Sequence, residues 1–298
     1  MAKARAVTWS EPGADGLGEA VGVLREWRAE GTPAQLHPGD LGWFWRSGAA
    51  ATAAAVRLWR GHGGRVLAVG LLDGPDLLRL AFAPDVRRNE ELARRLAGDV
   101  TEPGHGVLPE GRVNVEAPAD SPLLDLLAAE YGWRTDEPWT PLARGLADPV
   151  EEPGVRVEVV GPERAEAFAA VHRSAFGGRR FTAERWHAMA AGLPYADGRS
   201  LVAYDGRGEP VAAVAVWSAG PGRPGLLEPM GVHAGHRGRG YGAAITRAAA
   251  AALRELGASS ATVSTPTANT AAVATYEAAG FHRRPETHDR YRDASNRP

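Results

Sequence analysis

The sequence predicts a mixed α/β protein in which one sheet-forming unit occurs twice, and three observations predict it. Residues 155 to 291 read as strands and helices in alternation. The same order precedes them, more faintly, at a nearly constant offset. A glycine-rich turn joins a strand directly to a helix just after Val232.

In the second half, Val155–Val160 (VRVEVV) alternates as a half-buried strand does. Glu163–Ser174 sets Ala167, Phe168 and Val171 at helical spacing, and Phe181–Ala191 reads as a second short helix. Arg199–Tyr204 and Pro210–Ser218 are strands joined by a glycine-containing hairpin loop, Asp205–Glu209. Leu226–Val232 is a third strand of that group. Gly240–Leu256 is alanine-rich and ends at Gly257, a natural helix C-cap. Ser260–Ser264 is a strand, Asn269–Ala279 a helix closed by Gly280, and Phe281 opens a last strand.

The first half offers Leu78–Ala83 and Arg112–Glu116 as strands, with Asn89–Ala97 and Ser121–Tyr131 as helices. Pro84–Arg88 lies 150 residues before Ala234–Gly238, and Gly132-Trp133 lies 148 residues before Gly280-Phe281. Two independent landmarks with nearly equal offsets point to duplication of one unit. Between the halves, Gly145–Gly154 (GLADPVEEPG) is polar, acidic and punctuated by prolines, the composition of an exposed connection. The expected domains are therefore 1–148 and 155–298.

Composition narrows the function. The 298 residues are 44% hydrophobic and 23% charged, enough to bury two cores. A net charge of −2 supplies no field for nucleic acid or an anionic membrane, so neither is an expected partner. There is no cysteine, which excludes disulfides, thiolate metal sites and a ping-pong route through an acylated thiol. No secretory h-region follows the N-terminus and no apolar run approaches membrane length, so the expected location is cytoplasmic. Lys3 is the single lysine, and the excess of Arg, Ala and Gly weakens any argument from one such residue alone. His172, His187, His282 and His288 show no ligand spacing, and no metal is expected.

The chemistry resides in Leu226–Ala244, LLEPMGVHAGHRGRGYGAA. Glycines let backbone approach an anion closely, and the N-terminal amides of the following helix face it with the positive end of the dipole. Such a turn suits a phosphate. Gly238-x-Gly240-x-x-Ala243 meets a loosened dinucleotide pattern, but that reading needs an acidic residue at the end of the next strand. Gly257–Ser264 contains no Asp or Glu, and the motif follows several strands instead of opening a domain.

Arg237-x-x-Gly240-x-Gly242 after a strand ending at Val232 resembles the acyl-CoA pyrophosphate loop of the GNAT superfamily of N-acetyltransferases. Asn269-x-x-Ala272-x-x-x-Tyr276-Glu277-x-x-Gly280-Phe281 resembles that family's late helix. The resemblance covers roughly Val155 to Tyr291. It implies two tandem GNAT-like domains, the second catalytic and using acetyl-CoA. Backbone amides of Arg237, Gly238, Arg239, Gly240, Tyr241 and Gly242 would hold the pyrophosphate. Gly231, Val232 and His233 would bind the pantetheine arm, one of their amides polarising the thioester carbonyl. Asn269 would contact the arm, Tyr276 would protonate the leaving thiolate, and Glu228 would act as general base, directly or through water. Pro229 beside Glu228 is unusual in a central strand and leaves the register of that strand open.

Each assignment has a structural alternative: a plain glycine-rich turn, a core aromatic at Tyr276, a salt-bridged edge residue at Glu228. His233 and His236 read as loop residues, Trp186 and Trp217 as packing. Trp43-Phe44-Trp45 could be core, domain interface or acceptor wall. In the first half, Arg87-Arg88-Asn89-Glu90-Glu91-Leu92 stands where the pyrophosphate loop would be, without glycines and with two carboxylates, and Ala128 takes the tyrosine position. That half is expected to be a degenerate, non-catalytic copy, the alternative being an unrelated α/β domain. The expected function is acetyl transfer from acetyl-CoA to a small-molecule or peptide amine, by a monomer or homodimer. The tandem arrangement also resembles the mycothiol synthases of actinobacteria, which would make the acceptor a cysteinyl aminosugar-inositol. A non-catalytic acyl-CoA sensor is the second class.

Overall fold

A single 13-stranded sheet runs through the protein. The structure is a computed structural model that describes residues 7–293. Lys3 and the outermost residues of the two expected domains lie outside the described residues. The first half runs β1 (Thr8–Ser10), α1 (Leu17–Glu26), α2 (Pro38–Phe44), α3 (Ala49–Ala55), β2 (Val56–Arg60), β3 (Val66–Leu72), β4 (Leu77–Phe82), α4 (Glu90–Thr101), β5 (Val113–Glu116), α5 (Leu123–Tyr131) and β6 (Arg134–Gly145). The second half repeats the pattern as β7 (Arg156–Val159), α6 (Ala165–Phe176), α7 (Ala183–Ala190), β8 (Gly198–Tyr204), β9 (Pro210–Trp217), β10 (Gly225–Val232), α8 (Tyr241–Glu255), β11 (Ser260–Pro266), α9 (Thr270–Ala278), β12 (His282–Arg283) and β13 (Thr287–Arg292).

The elements expected from periodicity are present, and the halves correspond element by element from β4/β10 to β6/β13. The fold is that of two tandem GNAT-like units in one mixed α/β sheet. The expected strand from Phe281 is split, with Pro285 between β12 and β13. β6 escaped sequence reading because Pro138 and Pro141 interrupt its pattern, and prolines demote a run as strand.

The strand order is β1-β2-β3-β4-β5-β13-β6-β11-β10-β9-β8-β7, with β12 paired to β6. The two halves therefore exchange their last strands. β6 pairs antiparallel with β11 from Ser260↔Gly145 to Pro266↔Trp139. Reciprocally, β13 pairs with β5, Arg290 opposite Val115, and continues along β6.

Helices pack both halves onto this sheet. α8 buries Ile245 and Leu253 completely against the second-half strands, each contributing about 1.5–3 kcal/mol of burial. Trp43 leaves its own half: it packs in the core with Phe168, Phe181 and Trp186, its ring 5.1 Å from that of Phe181 and stacked on it. Trp45 stays in a first-half core, and Gly192 of the second half abuts its indole. The Trp-Phe-Trp segment is thus core and interface. Trp186 is buried as packing, its Nε1–H donating to Ser200 Oγ at 3.1 Å. Among the described residues, no helix is long and apolar enough to cross a membrane.

Candidate active site

β10 positions the site by parting from its neighbour. It is parallel to β11 only at Gly225 and Leu226, yet remains antiparallel to β9 as far as Val232. Between Leu227 and Met230 the register shifts, at the cis Glu228–Pro229 peptide. Pro229 has no N–H to offer the ladder, so a bulge here loses no hydrogen bond. Trp217 donates its indole N–H to the Glu228 carbonyl at 2.7 Å. Trp217 is 1% exposed and lies against Gly39 and Gly42 of α2, where an added Cβ would come within 2.4 Å of its side chain. The first half therefore fixes the residue that orients Glu228.

The ladder also sorts the predicted arm-binding residues. The His233 amide already donates to Val211 at 2.9 Å, and its ring Nδ1 accepts from Gly235 N. His233 is thus a strand end and turn cap, and its amide is not free for a ligand. Strand alternation turns the Val232 amide to the opposite edge, where β11 has parted. Gly231 has a packing reason: a Cβ there would sit 2.6 Å from that of Ala175 on α6.

The turn that follows is open. Gly238 and Gly240 have φ of +73° and +84°, a backbone conformation glycine adopts without strain, and an added Cβ at either meets nothing within 4 Å. Gly240 is the N-cap of α8, and no side chain caps the helix there. Arg237 anchors the turn by donating from its guanidinium to Ala175 O at 2.7 Å, and Ala234 N donates to Ser174 Oγ at 3.0 Å. Arg239 is exposed, and Tyr241 begins α8 with its ring 6.2 Å from that of His236. Gly242 is a packing residue, since a Cβ would lie 2.7 Å from Thr275 Cγ2 on α9. The turn can thus offer main-chain N–H groups at a helix start to a diphosphate.

Along β10 from Leu226 to Met230, a cavity of about 800 Å³ lies between the halves. Glu228, Met230, Asn269 and Tyr276 line it from the second half, and Asp40, Arg79, Glu116 and Trp139 from the first. The lining stops at Met230 and does not include the turn. Asn269 caps α9 by accepting from Ala272 N at 3.2 Å, leaving its amide –NH2 unused by the cap. Tyr276 is 5% exposed, and among the described residues its phenol has no hydrogen-bond partner. Burial, and then the charge of Glu228, hold that phenol well above its ordinary pKa, so it is a proton donor at neutral pH.

The cavity's electrostatics centre on Arg79. Its guanidinium reaches Asp40 at 2.7 Å, Glu116 at 2.9 Å, and Asp73 and Glu228 each at 3.5 Å. Burial pulls its pKa down, but these carboxylates override burial and hold it well above normal. Asp40 is almost wholly buried; its carboxylate also accepts from His37 N in a capping box. Burial raises Asp40 to about 7, Arg79 opposes the rise, and Glu228, hydrogen-bonded to it, adds to it. The carboxyl raised toward neutrality in this cavity, Asp40, comes from the other half. The His37-x-x-Asp40 capping box marks only the start of a helix. Nothing in it announces a partner far along the chain.

In the first half, the corresponding helix start is closed. Asn89 caps α4 by accepting from Leu92 N at 2.8 Å, Glu90 and Glu91 occupy its first turn, and Arg87 and Arg88 pair with Asp120. Among the described residues, no group of three or more His, Asp or Glu is placed to hold a metal ion.

A family-wide profile described as the acetyltransferase (GNAT) family matches residues 166–281. No curated protein matches the chain. Among solved structures, the chain is similar to a GCN5-related N-acetyltransferase from Sphaerobacter thermophilus, with 20% identity, a TM-score of 0.62, and 99% of this chain covering 97% of that one. It is similar to a tandem GNAT protein from the clavulanic acid biosynthesis pathway at 18% identity and a TM-score of 0.59, over 98% and 100% of the two chains. It is also similar to N-myristoyltransferase from Saccharomyces cerevisiae with bound myristoyl-CoA, at 12% identity and a TM-score of 0.57, over 99% and 79%. At these identities the likeness is one of fold.

Proposed function

Since the second half of the chain belongs to the GNAT acetyltransferase family, we propose that the protein is an N-acetyltransferase that transfers an acetyl group from acetyl-CoA to a primary amine by direct attack. The observation that carries the reading is the pairing of an uncapped turn, open at Gly238 and Gly240, with a cavity holding an unpartnered phenol and a carboxyl near neutrality. Acetyl-CoA supplies the activated acyl group as a thioester. Amides of Arg237 to Gly242 hold the pyrophosphate, and the Val232 amide, on the edge β11 has left, polarises the acyl carbonyl. Asn269 contacts the arm through its side-chain –NH2.

An amine entering the cavity is protonated and must lose a proton before it attacks. Glu228 receives that proton, and the hydrogen-bonded Asp40, poised near pH 7, shares it across the carboxyl pair. Arg79 keeps two close carboxylates from repelling one another. Tyr276 donates its phenolic proton to the departing thiolate. The first half contributes Asp40 and Arg79 and binds no acyl donor, its α4 start being capped and acidic.

The reading is tested by coenzyme A calorimetry and by thiol release from acetyl-CoA with a panel of amines. Micromolar binding with amine-dependent thiol release is the expected result. Binding without release on any amine would leave only an acyl-CoA sensor.

A further inference from the structure

One corner of the cavity is built against the ordinary logic of a sheet. β13 pairs with β5 in a register that sets Arg290 opposite Val115 and Tyr291 opposite Asn114. Asp289, at the register shift of β13 between His288 and Arg290, and Glu116, the last residue of β5, are two carboxylates from different halves, close enough for the charge of Glu116 to act on Asp289. Two carboxylates this close, one of them without a cation of its own, repel one another. Glu116 has Arg79 as its partner at 2.9 Å. Among the described residues, no hydrogen bond or ion pair reaches the Asp289 carboxylate. Burial first, then the charge of Glu116, lift Asp289 to about 7 against the opposing pull of Arg79 and Arg290. Both residues line the same cavity as Glu228 and Tyr276.

Two further side chains are also left waiting there. Tyr276 is 5% exposed with its phenol unpartnered, and Gln35, also 5% exposed, lines the cavity with its Nε2 lacking an acceptor. Arg79 does not supply the missing cation, because four carboxylates already surround it.

We propose that the Asp289–Glu116 corner binds a second cationic group of the acceptor, so that the substrate is a diamine, polyamine or similarly dicationic small molecule. The proposal rests on the acetyltransferase reading and names its substrate class. Glu116 and Glu228 both contact the guanidinium of Arg79, at 2.9 and 3.5 Å. One planar guanidinium limits their carboxylate oxygens to a separation of roughly 9 Å. The spacer between the reactive amine and the second cation is correspondingly short. One amine loses its proton to Glu228 and attacks; the other stays protonated against Asp289.

Putrescine, butylamine and γ-aminobutyrate share a four-carbon chain and end, respectively, in a cation, a methyl group and an anion. Thiol release from acetyl-CoA with each, plus calorimetric titration of putrescine into the coenzyme A-loaded protein, tests the proposal. Putrescine is expected to exceed butylamine in kcat/KM by at least about tenfold, with γ-aminobutyrate poorest. Asp289→Asn is expected to shrink the putrescine-to-butylamine ratio at least about fivefold, mostly through KM, while coenzyme A affinity holds. Equal kcat/KM for putrescine and butylamine overturns the dicationic acceptor and leaves acetyl transfer standing. Putrescine binding that Asp289→Asn weakens, without turnover on any amine, supports the cation site and overturns the transfer reading. Neither binding nor turnover overturns both.

Discussion

Replacing Gly240 by glutamate tests the acyl-donor site most directly. Gly240 has φ of +84°, where a non-glycine residue costs about 1–2 kcal/mol. An added Cβ meets nothing within 4 Å, and α8 is held by the fully buried Ile245 and Leu253, so the helix survives. Two effects fall on the ligand. A backbone that relaxes out of the left-handed region turns away one amide, about 1 kcal/mol. A carboxylate about 4 Å from the diphosphate costs about 1 kcal/mol in water and more where solvent is excluded. The total, about 2 kcal/mol, predicts a coenzyme A Kd weakened about 30-fold by calorimetry. Gly240→Ala carries the backbone cost without the charge and is expected to fall in between. An unchanged Kd in Gly240→Glu, with an intact thermal transition, would refute the idea that this turn holds the pyrophosphate.

Other perturbations follow from the same geometry. Tyr276→Phe removes a phenol without a protein partner, so kcat is expected to fall about 100-fold with coenzyme A affinity and melting temperature retained, as steady-state kinetics and calorimetry will read. Asp40, raised from 3.8 to about 7, must be ionised to accept a proton, so kcat/KM is expected to rise as pH passes through about 7, and Asp40→Asn to lose that inflection. For Asp289 the folded value is also raised from 3.8 to about 7, so its stability contribution is complete at low pH and is lost as pH rises through 7. Asp289→Asn is therefore expected to melt higher than the native protein, by more at pH 8 than at pH 5, on the order of 2 kcal/mol. In α2, Gly42→Ala gains up to about 1 kcal/mol of helix propensity, but its Cβ would sit 2.4 Å from the Trp217 ring. Overpacking at about 1–3 kcal/mol wins, and urea denaturation is expected to show net destabilisation.

Most of the second half was readable because its signals are local. Gly257 and Gly280 end their helices with φ of +80°, and the Asp205–Glu209 loop closes a hairpin, all from neighbouring residues. The turn at Gly238–Gly240 was likewise legible from its own glycines. His233 misled because a strand amide has two possible edges, and only the pairing to Val211 decides which one it faces. Asp40, Arg79 and Asp289 gave no signal, since each gains its role from residues far off in sequence: Asp40 and Arg79 from Glu228, and Asp289 from Glu116. Gly39 and Gly42 carry no local signal either; their reason is Trp217, in the other half.

The exchange also explains why a copy without an open anion-binding turn persists. Were the halves merely linked, nothing in the second would require the first, and drift would be free to unfold it. Here β11 has β6 on one side, and without it the edge facing away from β10 would be bare backbone. α2 presses on the tryptophan that holds the Glu228 carbonyl, and β4 and β5 bring Arg79 and Glu116 to the cavity. The second half's site therefore depends on the first half's β4, β5, β6 and α2, but not on the start of α4, which makes no such contribution. There Asn89, Glu90 and Glu91 close the helix terminus. Cap and carboxylates stabilise α4 at a terminus where the second half instead has an open turn.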